Sequence, residues 1–305
     1  MRVLVTGGAG QVGHDVAVAL AGGVPPGGRR RALRGPEGPG PSGVEPVATD
    51  HGSLPVENRA AVLEAVGALR PHVIVHSAAF TAVDDCERDP DRAFRVNALG
   101  TRNVAEAATR HGAHLVYLST DYVFDGTAHR PYVEWDRPNP RSVYGRSKLG
   151  GELECPDGAT IVRTSWVCGA RGANMVKTAL RLAAGDGPLR FVDDQHGSPT
   201  FSADLAAAIV TLATDRVPGL FHVTNAGATT WFGFVRAVVD AAGHDPGRVE
   251  PIATADLHPP RPAPRPANSV LDNAALRLGG YPSLPDWQDG LDRLVRVLQG
   301  SRSAP

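Results

Sequence analysis

The chain of 305 residues has little cysteine, very little lysine, few aromatic side chains and no long apolar run. Its three cysteines, Cys86, Cys155 and Cys168, are odd in number, far apart and never in a CxxC pair. That spacing argues against a disulfide framework and against a zinc site, and we read them as ordinary thiols. No stretch approaches the roughly 20 apolar residues a membrane span needs, and the apolar run at the N-terminus is too short for a signal-peptide core. A cytoplasmic protein with no membrane partner is expected. Neither sign of charge is in excess: 31 basic and 32 acidic side chains leave a net charge of −1. With no basic run interleaved with aromatics, a nucleic-acid partner is not expected. His111 and His114, three apart at the end of a helical pattern, read as surface rather than as metal ligands.

What is present is a rhythm. Short apolar runs without polar alternation, "RVLVT" (2–6), "VEPVA" (44–48), "HVIVHSAA" (72–79), "AHLVYLST" (113–120) and "ATIVRTS" (159–165), suit parallel strands buried on both faces. Helical patterns at 11–21, 58–69, 91–111, 144–153 and 173–184 separate them. This alternation predicts a doubly wound α/β sheet of the Rossmann type, with a dinucleotide-binding domain over 1–165 completed by about 200–225. The Gly/Pro-rich segment 22–43 holds only a short candidate strand at 30–34 and reads as an exposed excursion. Beyond 166 the rhythm loosens, with helices expected near 202–214, 231–243 and 287–299 and a strand near 219–223. Segments 166–200 and 226–300 are expected to form a smaller C-terminal cap over the carboxyl edge of the sheet, where open α/β sheets bind ligands.

The first strand runs into "TGGAGQVG", placing Gly7, Gly10 and Gly13 between a strand and a helix. Gly7 permits the tight turn, Gly10 lets the backbone approach a pyrophosphate, and Gly13 allows close helix packing, while the helix N-terminus favours the anion. Dinucleotide binding follows. An arginine after the second strand accommodates a 2′-phosphate where an acidic residue holds ribose hydroxyls. Here "GRRRALRG" offers Arg34, with Arg29 to Arg31 as alternatives, against the plainer reading of a solvated basic loop. NADPH is therefore preferred, with NADH as the alternative, and Asp50 is placed near the adenine.

Only Lys148 and Lys177 are lysines, and Tyr144 stands four residues before the first of them in a chain with five tyrosines. Such a pair arises by chance in about 3% of chains of this composition. On a helix both side chains share one face. An ammonium beside a phenol lowers its pKa, so Tyr144 is suited to protonate a carbonyl oxygen as hydride reaches its carbon. "YLSTDYVFDG" (117–126) ends a strand and supplies Ser119 and Thr120, with Thr120 placed to bind the same oxygen.

Together, "TGGAGQVG", "SAAFTAVDDCE", "STDYVFDGT", "VYGRSKLGGE", "RTSWVCG", "DDQHGSPT" and "RPANS" resemble the extended short-chain dehydrogenase/reductases, and within them the dTDP-4-dehydrorhamnose reductase family, over nearly the whole chain. The resemblance implies reduction of the 4-keto group of a dTDP-linked 6-deoxyhexose, with dTDP-L-rhamnose as the first expectation. It implies Tyr144 as proton donor, Lys148 as the group that orients the cofactor and tunes Tyr144, and Thr120 as its helper. Gly10, Gln11 and Val12 would sit under the pyrophosphate, and Ala79, Phe80 and Thr81 along the cofactor. Thr120, Asp121 and Trp166 would line the sugar-nucleotide pocket, with Arg265 at its pyrophosphate. Phe80 stands where the resemblance leads one to expect histidine, and Arg34 where NADH-accepting members carry an acidic residue. Asp15 matches only in part a position that holds magnesium at a dimer interface in some members, and no metal is assigned; a homodimer is a possible assembly. Two other readings stay open: a 4-ketoreductase serving an antibiotic deoxysugar, of the dihydrostreptose synthase kind, and a non-catalytic subunit like the regulatory partner of methionine adenosyltransferase.

Overall fold

The computed structural model describes residues 1–28 and 43–300. Five strands, β1 (Arg2–Thr6), β2 (Glu45–Thr49), β3 (Val73–His76), β4 (His114–Thr120) and β5 (Thr160–Thr164), are joined by a sixth, β6 (Gly219–His222), in one sheet. Its order is β6-β5-β4-β3-β1-β2, and every pairing is parallel. The strand read at 44–48 thus pairs directly with β1 as an edge. The candidate strand at 30–34 and the four arginines, Arg34 among them, lie outside the described residues.

Eight longer helices follow the expected positions: α1 (Gln11–Leu20), α2 (Arg59–Leu69), α3 (Gly100–His111), α4 (Val143–Leu153), α5 (Met175–Ala183), α6 (Ser202–Thr214), α7 (Trp231–Ala241) and α8 (Trp287–Gly300). The sheet is covered on both faces because its strands are apolar on both. Val3, Val5, Val73 and Val75 pack under Val16, Leu20, Leu205 and Ile209 of α1 and α6. Leu4, Ile74 and Leu115 point the other way, against Val62 and Val66 of α2 and Val104 of α3. A separate apolar cluster, with Val176, Phe234, Trp287 and Leu291, joins α5, α7 and α8 in the C-terminal part.

Local chemistry starts the helices. Asn58, Ser142 and Asn174 each cap one by accepting from the backbone N–H three residues on, leaving fewer orphan donors at those ends. One prediction needs correction: 91–111 is not a single helix. A helical turn at Pro90–Phe94 passes through a π-helical turn, Arg95–Leu99, before α3 begins. The wider turn brings Asn97 inward, where its amide accepts from the Phe80 N–H at 2.7 Å and donates to the Phe80 carbonyl at 3.0 Å and to Ser147 Oγ at 2.9 Å. A regular helix would rotate this anchor away, which is the usual reason a π turn is retained near a site.

Candidate active site

The carboxyl ends of β1, β3, β4 and β5 open onto a cavity of about 430 Å³. The glycine loop forms one wall: Gly7, Gly10 and Gly13, with Gln11 and Val12 beside them. The three glycines do different work. Gly7 has φ +72°, and a Cβ there would lie 2.7 Å from the Ala78 nitrogen; one on Gly13 would lie 2.3 Å from the Gly7 carbonyl oxygen. Those two are required by packing. A Cβ on Gly10 would meet only the Gly7 oxygen, at 3.2 Å, so its absence keeps the approach to α1 open. Gly10 is also the N-cap of α1, with no side-chain cap and no acidic residue in the first turn. Free N–H groups on an uncapped, carboxylate-free helix end suit a pyrophosphate, and the residues present fit a dinucleotide. Asn174 closes over this end, donating to Gln11 Oε1 at 2.9 Å.

A second cavity of about 590 Å³ shares Gly7, Gly10 and Ala79 with the first and continues past Asp50, Phe80 and Arg92. Asp50 follows the edge strand β2, and its carboxylate is engaged by Ser53. Arg92 lies 4.5 Å from the centroid of the Phe80 ring. Together the two cavities form a slot along the sheet edge with Ala79 and Phe80 on its floor.

At the other end of the first cavity stand Thr120, Asp121, Tyr144, Lys148 and Trp166, with Thr81 opposite. Sequence reasoning therefore brings its acid–base group, its hydroxyl and its glycine loop to one place. Tyr144 is partly buried at the cavity wall; desolvation drives its pKa up, and the Thr120 hydroxyl pulls it down. Lys148 stands one turn further along α4. The Lys148 ammonium donates to the Leu118 carbonyl at 2.6 Å and lies 4.2 Å from the centroid of the Tyr117 ring. Burial lowers its own pKa to about 7. Asp121 is buried and shifted upward by desolvation, against hydrogen bonds from Thr120 and Ser165, each at 2.9 Å.

Trp166 adopts φ 45°, and its ring stacks on that of Trp231, a residue the sequence alone did not single out. Trp231 and Tyr122 border both the first cavity and a third one of about 300 Å³ that holds Arg190, Arg261 and Arg265. Arg265 is at that cavity, yet its guanidinium is taken by the Asp84 carboxylate in two contacts of 3.0 Å. Asp15 is buried and bonded by Ser202. Burial holds Cys86 near pKa 11 and Cys155 and Cys168 near 12, so these thiols are not nucleophiles at neutral pH.

Also beyond the sequence reading is a polar layer under α4. Ser119, Arg163 and His222 are register neighbours on β4, β5 and β6. Glu152 of α4 accepts from Ser119 Oγ at 2.5 Å and from Arg163 Nε and Nη2 at 2.8 and 2.6 Å. Its only sequence signal is its position four residues after Lys148.

A glycine-walled slot meeting a Thr/Tyr/Lys constellation at the carboxyl edge of a parallel sheet defines an oxidoreductase of the extended short-chain dehydrogenase/reductase class. The family model described as RmlD substrate binding domain matches residues 1–299, and the chain belongs to that family. It is 39% identical over 313 residues to the dTDP-4-dehydrorhamnose reductase of Streptomyces griseus, covering 100% of this chain and 96% of that protein. It is 39% identical over 296 residues to a probable dTDP-4,6-dihydroxy-2-methyloxan-3-one 4-ketoreductase of Streptomyces antibioticus, covering 95% and 93%. The structure of the dTDP-4-dehydrorhamnose reductase of Bacillus anthracis, in complex with NADP, superimposes with a TM-score of 0.83 at 36% identity, over 96% of this chain and 98% of that one.

Proposed function

We propose that the protein reduces the 4-keto group of a dTDP-4-keto-6-deoxyhexose with NADPH, converting dTDP-4-dehydrorhamnose to dTDP-L-rhamnose. The observation that carries the reading is the meeting of Thr120 and Tyr144 in the cavity whose opposite wall is the glycine loop. When bound, the nicotinamide supplies the hydride that goes to C4. Thr120 and Tyr144 hold the C4 oxygen from one side and aim the carbon at that wall. As C4 gains the hydride, its oxygen takes the phenolic proton of Tyr144, so the sugar leaves as an alcohol and Tyr144 regains a proton from solvent. A neutral phenol is the form this direction requires, and burial keeps Tyr144 neutral across the physiological range. Lys148 faces the same cavity and supplies positive charge beneath the forming phenolate. The stacked indoles flank the sugar, and the arginine-bearing cavity beyond Trp231 suits the nucleoside diphosphate.

The test is oxidation of NADPH by purified protein given dTDP-4-dehydrorhamnose, with the product identified by NMR. Absence of oxidation with every 4-keto sugar nucleotide would instead favour the regulatory-subunit reading. A second substrate is favoured by one observation: the Streptomyces antibioticus ketoreductase is as similar as the reductase of Streptomyces griseus. A substrate panel separates the two. For the cofactor, Arg34→Asp should weaken NADPH more than NADH; equal losses would remove Arg34 from the site.

A further inference from the structure

The polar layer under α4 lies outside the steps just described, yet it is built around the helix that carries Tyr144 and Lys148. Glu152 follows Lys148 by one turn on the same helix, so the two side chains share a face. It is buried, with its side chain 6% exposed, and Arg163 opposite it is 3% exposed. Both carboxylate oxygens are used: one takes Ser119 and Arg163 Nε, the other Arg163 Nη2. Ser119 precedes Thr120 and follows Leu118, whose carbonyl accepts from Lys148. Three partners of the chemistry thus hang on one carboxylate: α4, the end of β4 and the end of β5.

We propose that Glu152 is a positioning residue of this reduction: clamped between Ser119 and Arg163, it locks α4 to β4 and β5 and provides the countercharge of the Lys148 ammonium. The inference rests on the proposed function, because only a reaction at Tyr144 gives this ammonium work to do. Burying an ammonium is costly unless a charge of opposite sign stands near. The groups that face Lys148 are few. From β4 comes the ring of Tyr117, whose phenol is pushed well above its ordinary pKa. From β3 comes His76, which burial holds near pKa 3 and therefore neutral. From α4 come Tyr144 and Glu152, and just past its end Cys155, with a thiol near pKa 12. Of these, the Glu152 carboxylate exerts the largest pull toward the charged form of Lys148. Arg163 pairs with that carboxylate in the interior and reaches over the Phe124 ring, 5.1 Å from its centroid.

The chain offers a direct readout, because it has only two lysines. Labelling lysine with 13C at Cε gives one NMR signal from Lys148 and one from Lys177, assigned by Lys177→Arg. In the full wild-type chain the Lys148 signal should titrate near pH 7. In Glu152→Gln its midpoint should fall by about 1 pH unit, the scale of one charge removed at close range. The alkaline limb of kcat should move down with it, while KM for the sugar nucleotide changes less. An unmoved midpoint overturns the proposal, and so does a uniform loss of kcat at every pH with the limb in place, which is what a purely structural support would produce. Glu152→Gln leaves Arg163 buried without its partner; should that variant not fold, Glu152→Gln with Arg163→Met removes both charges and is read in the same way. Lack of any 4-keto reduction by the wild type defeats the proposed function instead, and the titration still reports whether Glu152 sustains the ammonium.

Discussion

Trp166 and Trp231 stack with ring centroids 3.6 Å apart and planes 7° from parallel. Gly197 is what allows it, since a Cβ there would lie 2.3 Å from the Trp166 ring. Trp231 opens α7, so the pair ties the catalytic edge of the sheet to the C-terminal part, and it borders both the catalytic and the arginine-bearing cavities. Aromatic pairing is worth about 0.5–1.5 kcal/mol beyond buried area. Trp231→Ala should therefore raise KM for the sugar nucleotide about tenfold while the Kd for NADPH stays within about twofold. Steady-state kinetics with cofactor titration checks this, and an effect on both ligands alike would remove the pair from the sugar side.

Tyr144→Phe deletes one hydroxyl and leaves the partly buried ring in place. General acid catalysis contributes about 10²–10⁴-fold, so kcat should fall by that factor with cofactor affinity unchanged. Thr120→Ala, which removes a binding partner and not the proton, should cost less. Full activity in Tyr144→Phe would end the proposed mechanism.

Gly10→Ala and Gly13→Ala should separate binding from folding. The Gly13 substitution forces a Cβ against the Gly7 carbonyl, an overpacking that costs about 1–3 kcal/mol. The Gly10 substitution meets one tight contact, the Gly7 oxygen at 3.2 Å, which a shift of a few tenths of an ångström relieves, and it intrudes on the pyrophosphate position instead. Thermal unfolding should fall for Gly13→Ala and hold for Gly10→Ala, whereas the Kd for NADPH should rise at least about tenfold for Gly10→Ala. The reverse pattern would refute this assignment of the glycine loop.

His76 and His222 are both buried, and desolvation lowers each to about pKa 3 from 6.5. Between these values the unfolded chain binds protons that the folded chain does not, so stability falls as pH drops from about 6.5 toward 3. Each histidine should account for about 2 kcal/mol lost by pH 5, set by how far pH 5 lies below the unfolded pKa. Urea unfolding from pH 7 to pH 5 should show this decline, with a shallower slope in His222→Gln. Parallel curves for the two proteins would contradict it.

How far the fold is legible in the chain depends on how local the cause is. The strands announce themselves because each is apolar on both faces, and the glycine loop because a tight turn into a helix leaves few residue choices. Tyr144 and Lys148 are legible as a pair because helical spacing fixes which side chains share a face. The extent of 91–111 misleads, since a π turn costs one residue of register and is driven by Asn97 reaching Phe80, 17 positions back. The resemblance puts Arg265 at a pyrophosphate, and nothing near it in sequence reveals that Asp84, 181 residues away, pairs with it.

The sequence by itself determined the parallel α/β plan, the glycine turn between β1 and α1 and the placing of Tyr144 and Lys148 one helical turn apart, because propensity, spacing and helix periodicity act over a few residues. Only the tertiary structure decided what surrounds them: that Lys148 reaches the Leu118 carbonyl rather than the Tyr144 phenol, that Glu152 is clamped by Ser119 and Arg163, and that Trp231 meets Trp166. Those relationships join residues from different strands and helices. Burial and charge neutralisation act through space, so they come into being only when the sheet has brought its strand ends together.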